Sequence, residues 1–281
     1  YGIDRIIAEL KYLKDKYHLE LIKFHDEDFL LRPLGEIKEL SAAYHKEVDL
    51  PFAIETNPKS VTREKVALLK EMNCVSVGVA IETGDPELRK KLLRRVDSEQ
   101  DVVRAFTLLN EAGIRNTSFN MLGIPSETRE TYRKTIALNR KADVQYPNMA
   151  FFYPFEGTEL RRISIEKRLF DPKNEKSEYG NFYEPHLHFD NLTEAELIGM
   201  RNAFVLYVKL PQYYEKYIER SERSDILGAA LRGKLLEIYE KTVWQNDGNF
   251  IDDGFKGKYI QELEEIMERH SPCPAKNEVT R

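Results

Sequence analysis

The sequence predicts an α/β fold in which parallel strands are joined by helical crossovers, followed by a mainly α-helical C-terminal region. Three observations carry that prediction. Helical and strand-like patterns alternate through the first half, each helix preceding a strand. Strand starts are separated by roughly 25–40 residues, as crossovers between parallel strands require. After about Arg168 the alternation gives way to helical patterns alone.

Along the chain, Ile3, Ile6, Ile7, Leu10, Leu13 and Tyr17 fall on one helical face, and Leu21 to His25 form a short strand-like run. Leu34, Ile37, Leu40 and Tyr44 mark a second helix leading to a strand at Pro51 to Glu55. Val66, Leu69 and Met72 mark a third, leading to Val75 through Ile81. Asp85-Pro86 has the form of a helix start and opens a stretch from Glu87 to Arg95. Ser98 caps a helix carrying Val102, Val103, Phe106 and Leu109, which stops at Gly113; a strand follows at Thr117 to Leu122. A helix from about Thr128 to Ala142 then precedes a strand at Met149 to Tyr153. The stretch from Asp171 to Asn191 lacks a clear period and predicts an irregular connection. Thr193-Glu194-Ala195-Glu196 is a capping box opening a helix with Leu197, Met200 and Phe204 on its buried face. Two more helices are expected at about Ile226–Val243 and Lys256–Arg269, with a frayed tail from Ser271. The chain opens on a helix, so the first β-α unit lacks its strand.

Composition narrows the function. The 281 residues include 43 Lys+Arg and 48 Asp+Glu, a net charge of −5, with 41% hydrophobic residues. This is a globular composition, and the slightly acidic balance argues against a protein devoted to coating nucleic acid. No apolar run approaches the ~18 residues of a transmembrane helix, and no charged-then-apolar leader opens the chain. Two distant cysteines, Cys74 and Cys273, support neither a disulfide framework nor a thiol-built metal site, so a reducing, cytoplasmic setting is expected.

In a parallel barrel or open sheet the functional face lies at the carboxyl ends of the strands. Here those ends carry His25-Asp26-Glu27-Asp28, Glu55-Thr56-Asn57, Glu82-Thr83-Gly84, the run from Asn120 to Gly123, and Tyr153-Pro154. A ring of carboxylates around one mouth points to a cation, ligand hydroxyls or an ammonium group; each alone could instead cap the following helix.

Four motifs in order, Phe24-His25-Asp26-Glu27-Asp28-Phe29, Ala80-Ile81-Glu82-Thr83-Gly84, Leu122-Gly123-Ile124-Pro125-Ser126-Glu127-Thr128 and Tyr153-Pro154-Phe155-Glu156-Gly157-Thr158, resemble radical S-adenosylmethionine (SAM) enzymes. The branch often fused to a cobalamin-binding domain is the most similar. The resemblance covers about residues 1–165, leaving 166–281 as a separate helical region. It implies a partial, TIM-like parallel β/α barrel whose first strand is missing. It also implies SAM bound at the C-terminal mouth for 5′-deoxyadenosyl-radical chemistry, and a [4Fe-4S] cluster held by a Cys-x3-Cys-x2-Cys loop. Cobalamin, methyl transfer to or rearrangement of a small or lipid-like substrate, and an electron donor such as a flavodoxin or ferredoxin complete the implied picture. The sequence contains no such cysteine loop, so the cluster ligands are expected upstream of Tyr1 and this fragment is expected to be inactive alone.

By resemblance, Asp26 and Glu27 approach the methionine ammonium, and Glu82 contacts the ribose or amino group. Arg94 reaches the methionine carboxylate; Arg95 is the competing choice and otherwise a solvated helix-end charge. Asn120 and Tyr153 lie where the adenine packs, and Glu55 completes the cofactor-binding set at the second visible strand end. Two positions depart from the family pattern: Ala80 and Ser126 stand where glycines are usual. Cys74 is expected to be a small buried apolar residue.

Two other functions fit the residues. Asp26, Glu55 and Glu82 could hold Mg²⁺ or Mn²⁺ in a metal-dependent barrel enzyme, as hard oxygen ligands do. A non-catalytic scaffold could keep the barrel and present its helices. Elsewhere, His186 and His188 read as a surface or packing pair, Tyr207, Tyr213, Tyr214 and Tyr217 as helix packing, and Asp252-Asp253-Gly254 as a turn.

Overall fold

The computed structural model describes residues 1–174 and 181–270, so Cys273 and the expected tail from Ser271 lie outside the described residues. The chain divides into two compact units, Tyr1–Leu192 and Thr193–Arg281.

The first unit contains α1 (Ile3–Tyr17), β1 (Ile22–Lys23), α2 (Leu34–Glu47), β2 (Phe52–Thr56), α3 (Arg63–Glu71), β3 (Cys74–Glu82), α4 (Glu99–Glu111), β4 (Arg115–Leu122), α5 (Arg129–Lys141), β5 (Tyr146–Phe151) and α6 (Glu159–Glu166). The five strands pair in parallel in sequence order and form a half-barrel. Period-two patterning separates the faces of the sheet. Phe52, Ile54, Val77, Val79 and Ile81 are buried under Leu40 and Tyr44 of α2, Leu69 of α3, and Phe106 and Leu109 of α4. Ala53, Glu55, Ala80, Glu82, Thr117, Phe119 and Met121 alternate with such buried positions and are only half-buried. On this second face, Gly78 leaves room for the Phe119 ring: a Cβ there would sit 2.4 Å from Phe119 Cε2.

Three elements near the sheet edges and the strand ends differ from the sequence reading in ways that matter for the site. β1 spans only two residues, at the edge of the sheet. β5 starts at Tyr146 and includes Pro147, which the other edge strand tolerates because a missing N–H costs no ladder bond on the open side. The expected helix at Glu87–Arg95 is a single π turn, Leu88–Leu92. Asp85 caps it as expected, its Oδ1 accepting from the Glu87 and Leu88 N–H groups at 3.0 and 2.9 Å. Arg94 then turns the chain out of the helix with φ +52°.

The second unit contains α7 (Glu194–Lys209), α8 (Glu215–Ser221), α9 (Ile226–Thr242) and α10 (Lys256–Arg269). Thr193 opens α7 through the expected capping box. Met200, Phe204, Leu231, Leu235, Ile238 and Leu263 are buried. Tyr207, Tyr214 and Tyr217 are buried among these helices, and the Tyr207 hydroxyl donates to Glu222 at 2.8 Å. Asp252 and Asp253 accept from the Gly254 and Phe255 N–H groups, which makes this segment a turn.

Candidate functional site

The carboxyl ends of β1, β2 and β3 and the segment Arg95-Val96-Asp97 build one polar network with Arg95 at its centre. Arg95 Nη2 donates to Asn57 Oδ1 at 2.6 Å and to the Ala80 carbonyl at 2.8 Å. Its Nη1 lies 3.4 Å from Glu82 Oε1, and its Nε lies 3.4 Å from Asp97 Oδ1. Asn57 also donates to Asp28 at 3.1 Å, and Asp28 accepts from Thr56 at 2.5 Å and Ser60 at 2.6 Å. Asp97 is held from its other side by Arg89.

Local backbone explains this convergence. A bulge between Ala80 and Glu82 breaks the ladder with β4, and Glu82 takes φ +67°. The left-handed turn at Arg94 ends the π turn and brings Arg95 back over the strand ends. Thr83 and Gly84 anchor the segment in between. Gly84 N–H donates to Thr135 Oγ1 at 2.8 Å, and a Cβ at Gly84 would meet the Lys134 carbonyl oxygen at 2.2 Å.

Electrostatically the site is strained. Burial pushes the Glu82 carboxyl above its ordinary value, and Arg95 and Arg89 oppose that rise. Burial lowers Arg95, with Glu82 and Asp28 opposing. Burial and the neighbouring Arg95 push Arg89 down to about 10. The Nε atoms of both arginines and Nη1 of Arg89 are buried without a hydrogen-bond partner. Two cavities flank this segment. One, of about 520 Å³, is lined by Asp28, Asn57, Lys59, Ser60, Arg94 and Arg95 among others; the second, of about 400 Å³, reaches Gly84, Arg89 and Ser98.

The sequence-predicted residues separate accordingly. Glu82 is in the network. Arg95 corrects the expectation of a solvated helix-end charge: its side chain is 16% exposed, whereas that of Arg94 is 76% exposed and lies 3.7 Å from Glu159. Asp26 and Glu27 are exposed after β1. Glu55 pairs with Lys23 at 2.8 Å on the half-buried face. Asn120 is a correction. Because of the bulge it pairs in register with Glu82 yet lies in the buried layer beneath α5, where it bonds Ser118, Asn139 and the Asn148 carbonyl at 2.8–2.9 Å. Tyr153 joins an aromatic cluster with Phe155 and His186, ring centroids 4.8 Å apart, so His186 is a packing residue. Sequence reasoning missed Asp28, Asn57, Arg89 and Asp97 as network members. Asp28 and Asn57 were legible as strand-end polar residues; Arg89 and Asp97 carry no pattern.

The metal-dependent reading is also corrected. Asp26, Glu55 and Glu82 do not converge, and no group of three His, Cys, Asp or Glu side chains among the described residues could hold a metal ion. An iron-sulfur cluster does not fit the described residues either. Cys74 is buried in β3, and burial pushes its thiol up to about 12, far from the thiolate a cluster needs.

Residues 2–138 match the family model of the Radical SAM superfamily. The heme chaperone HemW of Bacillus subtilis is 29% identical over 126 residues, which is 44% of this chain and 33% of HemW. Among solved structures, the radical SAM methyltransferase TsrM from Kitasatospora setae, with cobalamin and a [4Fe-4S] cluster bound, aligns at TM-score 0.51 and 20% identity. That alignment covers 59% of this chain and 32% of TsrM. The cobalamin-dependent SAM radical enzyme OxsB aligns at TM-score 0.55 and 12% identity, over 96% of this chain and 46% of OxsB. The chain thus spans a third to a half of the length of these proteins. Within the half-barrel, residues 2–138, just under half of the chain, are the part that matches the Radical SAM superfamily.

Proposed function

We propose that this chain supplies the SAM-binding mouth of a radical SAM enzyme. The observation that carries the proposal is the Arg95–Glu82 pair, at the carboxyl ends of β2 and β3, within the superfamily domain. SAM is an amino acid zwitterion joined to a nucleoside. A guanidinium suits its carboxylate, and a carboxylate that burial disfavours as an anion suits its ammonium or ribose hydroxyls. Arg95 and Glu82 meet at the long distance of 3.4 Å, so a ligand can exchange that contact for two shorter ones.

Bound SAM would supply the 5′-deoxyadenosyl group for radical chemistry. The protein's share is to bind and orient. Asn57 and the Ala80 carbonyl hold Arg95 Nη2, and Asp28, which accepts from three donors, holds Asn57. No set of cluster ligands is present among the described residues. We extend the reading, on the likeness to TsrM and OxsB, to cobalamin-dependent methyl transfer or rearrangement of a small or lipid-like substrate, served by a flavodoxin- or ferredoxin-type donor.

Titration calorimetry of this chain with SAM tests the site. Arg95→Ala and Glu82→Ala should each weaken binding by about tenfold or more, equal to about 1.4 kcal/mol for one charge-assisted contact. Unchanged affinity in both variants removes the network from the SAM site.

A further inference from the structure

We propose that Arg89 and Asp97 are positioning residues: together they hold the Arg95 guanidinium in the orientation that receives a ligand carboxylate. The assignment rests on the SAM-binding reading above and names two residues that the reading does not need for direct contact.

The geometry is a buried Arg-Asp-Arg triad. Asp97, its side chain 6% exposed, lies between Arg89, which pairs with its Oδ2, and Arg95, whose Nε is 3.4 Å from its Oδ1. Arg89 is 4% exposed overall and comes from the single π turn that leads into Arg94 and Arg95. The triad therefore ties both ends of the segment 89–97 together around Arg95. The Arg95 N–H is also donated to the Arg89 carbonyl oxygen, at 2.9 Å, so the backbone closes the same loop.

Stability does not account for the arrangement. Both guanidinium groups lie against the one Asp97 carboxylate, and Arg89 Nε and Nη1 are buried without hydrogen-bond partners. Buried ion pairs of this kind are commonly no better for stability than apolar residues of similar volume, and unsatisfied buried donors count further against them. Orientation does account for it. With Nη2 bonded to Asn57 and Ala80, the Asp97 carboxylate 3.4 Å from Nε attracts that edge of the planar group and so opposes its remaining rotation, leaving Nη1 directed to the Glu82 side.

The test compares SAM with 5′-methylthioadenosine, which keeps the nucleoside and lacks the amino acid. Arg89→Met removes the hydrogen-bonded partner of Asp97 and leaves its carboxylate with only the Arg95 Nε contact at 3.4 Å, so the variant should fold with a lower melting temperature. It should bind SAM about tenfold more weakly and methylthioadenosine as before, because only the carboxylate contact is loosened. Asp97→Asn should show the same selective loss, with a lower melting temperature. Equal losses for both ligands indicate general damage and overturn the assignment. SAM binding that falls in Arg95→Ala but persists in Arg89→Met and Asp97→Asn also overturns it, while leaving the SAM site standing. Absence of SAM binding in the unsubstituted chain overturns the proposed function and this assignment with it.

Discussion

Glu127, in the Gly-Ile-Pro-Ser-Glu-Thr segment after β4, should make the stability of the half-barrel fall as pH rises through neutrality. Its carboxyl is 3% exposed, and burial pushes it from the ordinary 4.5 up to about 7, even though the Thr131 hydroxyl and the Gly123 and Thr128 N–H groups donate to it. The folded value lies above the unfolded one, so the folded state favours the protonated acid. That stabilisation is fully present below about pH 4.5 and is lost as pH rises through about 7, after which the curve is flat. A change from 4.5 to about 7 corresponds to about 3 kcal/mol over the whole range, of which about 2–3 kcal/mol falls between pH 5 and 8.5. Glu127→Gln keeps the shape and an oxygen acceptor for Thr131 while removing the titration. Urea unfolding of both proteins across that pH range isolates the effect, because titrations elsewhere cancel in the difference. The wild type should lose its advantage over the variant by that amount on going to alkaline pH. Parallel pH profiles would refute the reasoning and show that the three donors offset burial completely.

Two further outcomes follow from the same backbone. Gly84→Ala places a methyl group 2.2 Å from the Lys134 carbonyl, which cannot move without shifting α5; a loss of about 3 kcal/mol is expected in chemical denaturation, together with weaker SAM binding as Glu82 is displaced. Ser126→Gly should raise stability by about 0.5–1 kcal/mol, read as a higher melting temperature. Ser126 has φ +77° in a turn closed by the Glu127 N–H donating to the Ile124 carbonyl at 2.9 Å, with Pro125 before it, and this is the position of a type II turn that glycine fills without strain.

The order of elements was legible because hydrophobic periodicity survives wherever one face of an element is buried. The helices capped by Ser98, Thr128 and Thr193, and the strands at Phe52 and Cys74, all follow that rule. The usual family glycine before Ser126's neighbour Glu127 was legible too, as a departure whose backbone consequence the structure shows. What the sequence concealed is aperiodic. Asn120 reads as a mouth residue if the strand alternation of β3 and β4 stays in step. The bulge at Ile81 puts the two strands out of step by one residue, so Glu82 and Asn120 are neighbours in register and lie on opposite faces. Arg94 and Arg95 are equally basic and adjacent, and only the left-handed turn at Arg94 decides which of them is buried.

These irregularities share one location. Within residues 80–97 the chain has a bulge, a left-handed glutamate, a π turn, a left-handed arginine and two buried arginines with unsatisfied donors. Left-handed non-glycine residues cost of order 1–3 kcal/mol each, and an unpaired buried donor costs about as much. A segment selected only for stability would relieve the backbone by single substitutions, such as glycine at the exposed, left-handed position 94. Their concentration where the ends of β1, β2 and β3 meet is what a binding site demands: side chains aimed by an irregular backbone anchored on α5, and a long Arg95–Glu82 contact that a ligand of complementary charge can replace. The cost of the segment and its suitability for a zwitterion therefore have the same origin.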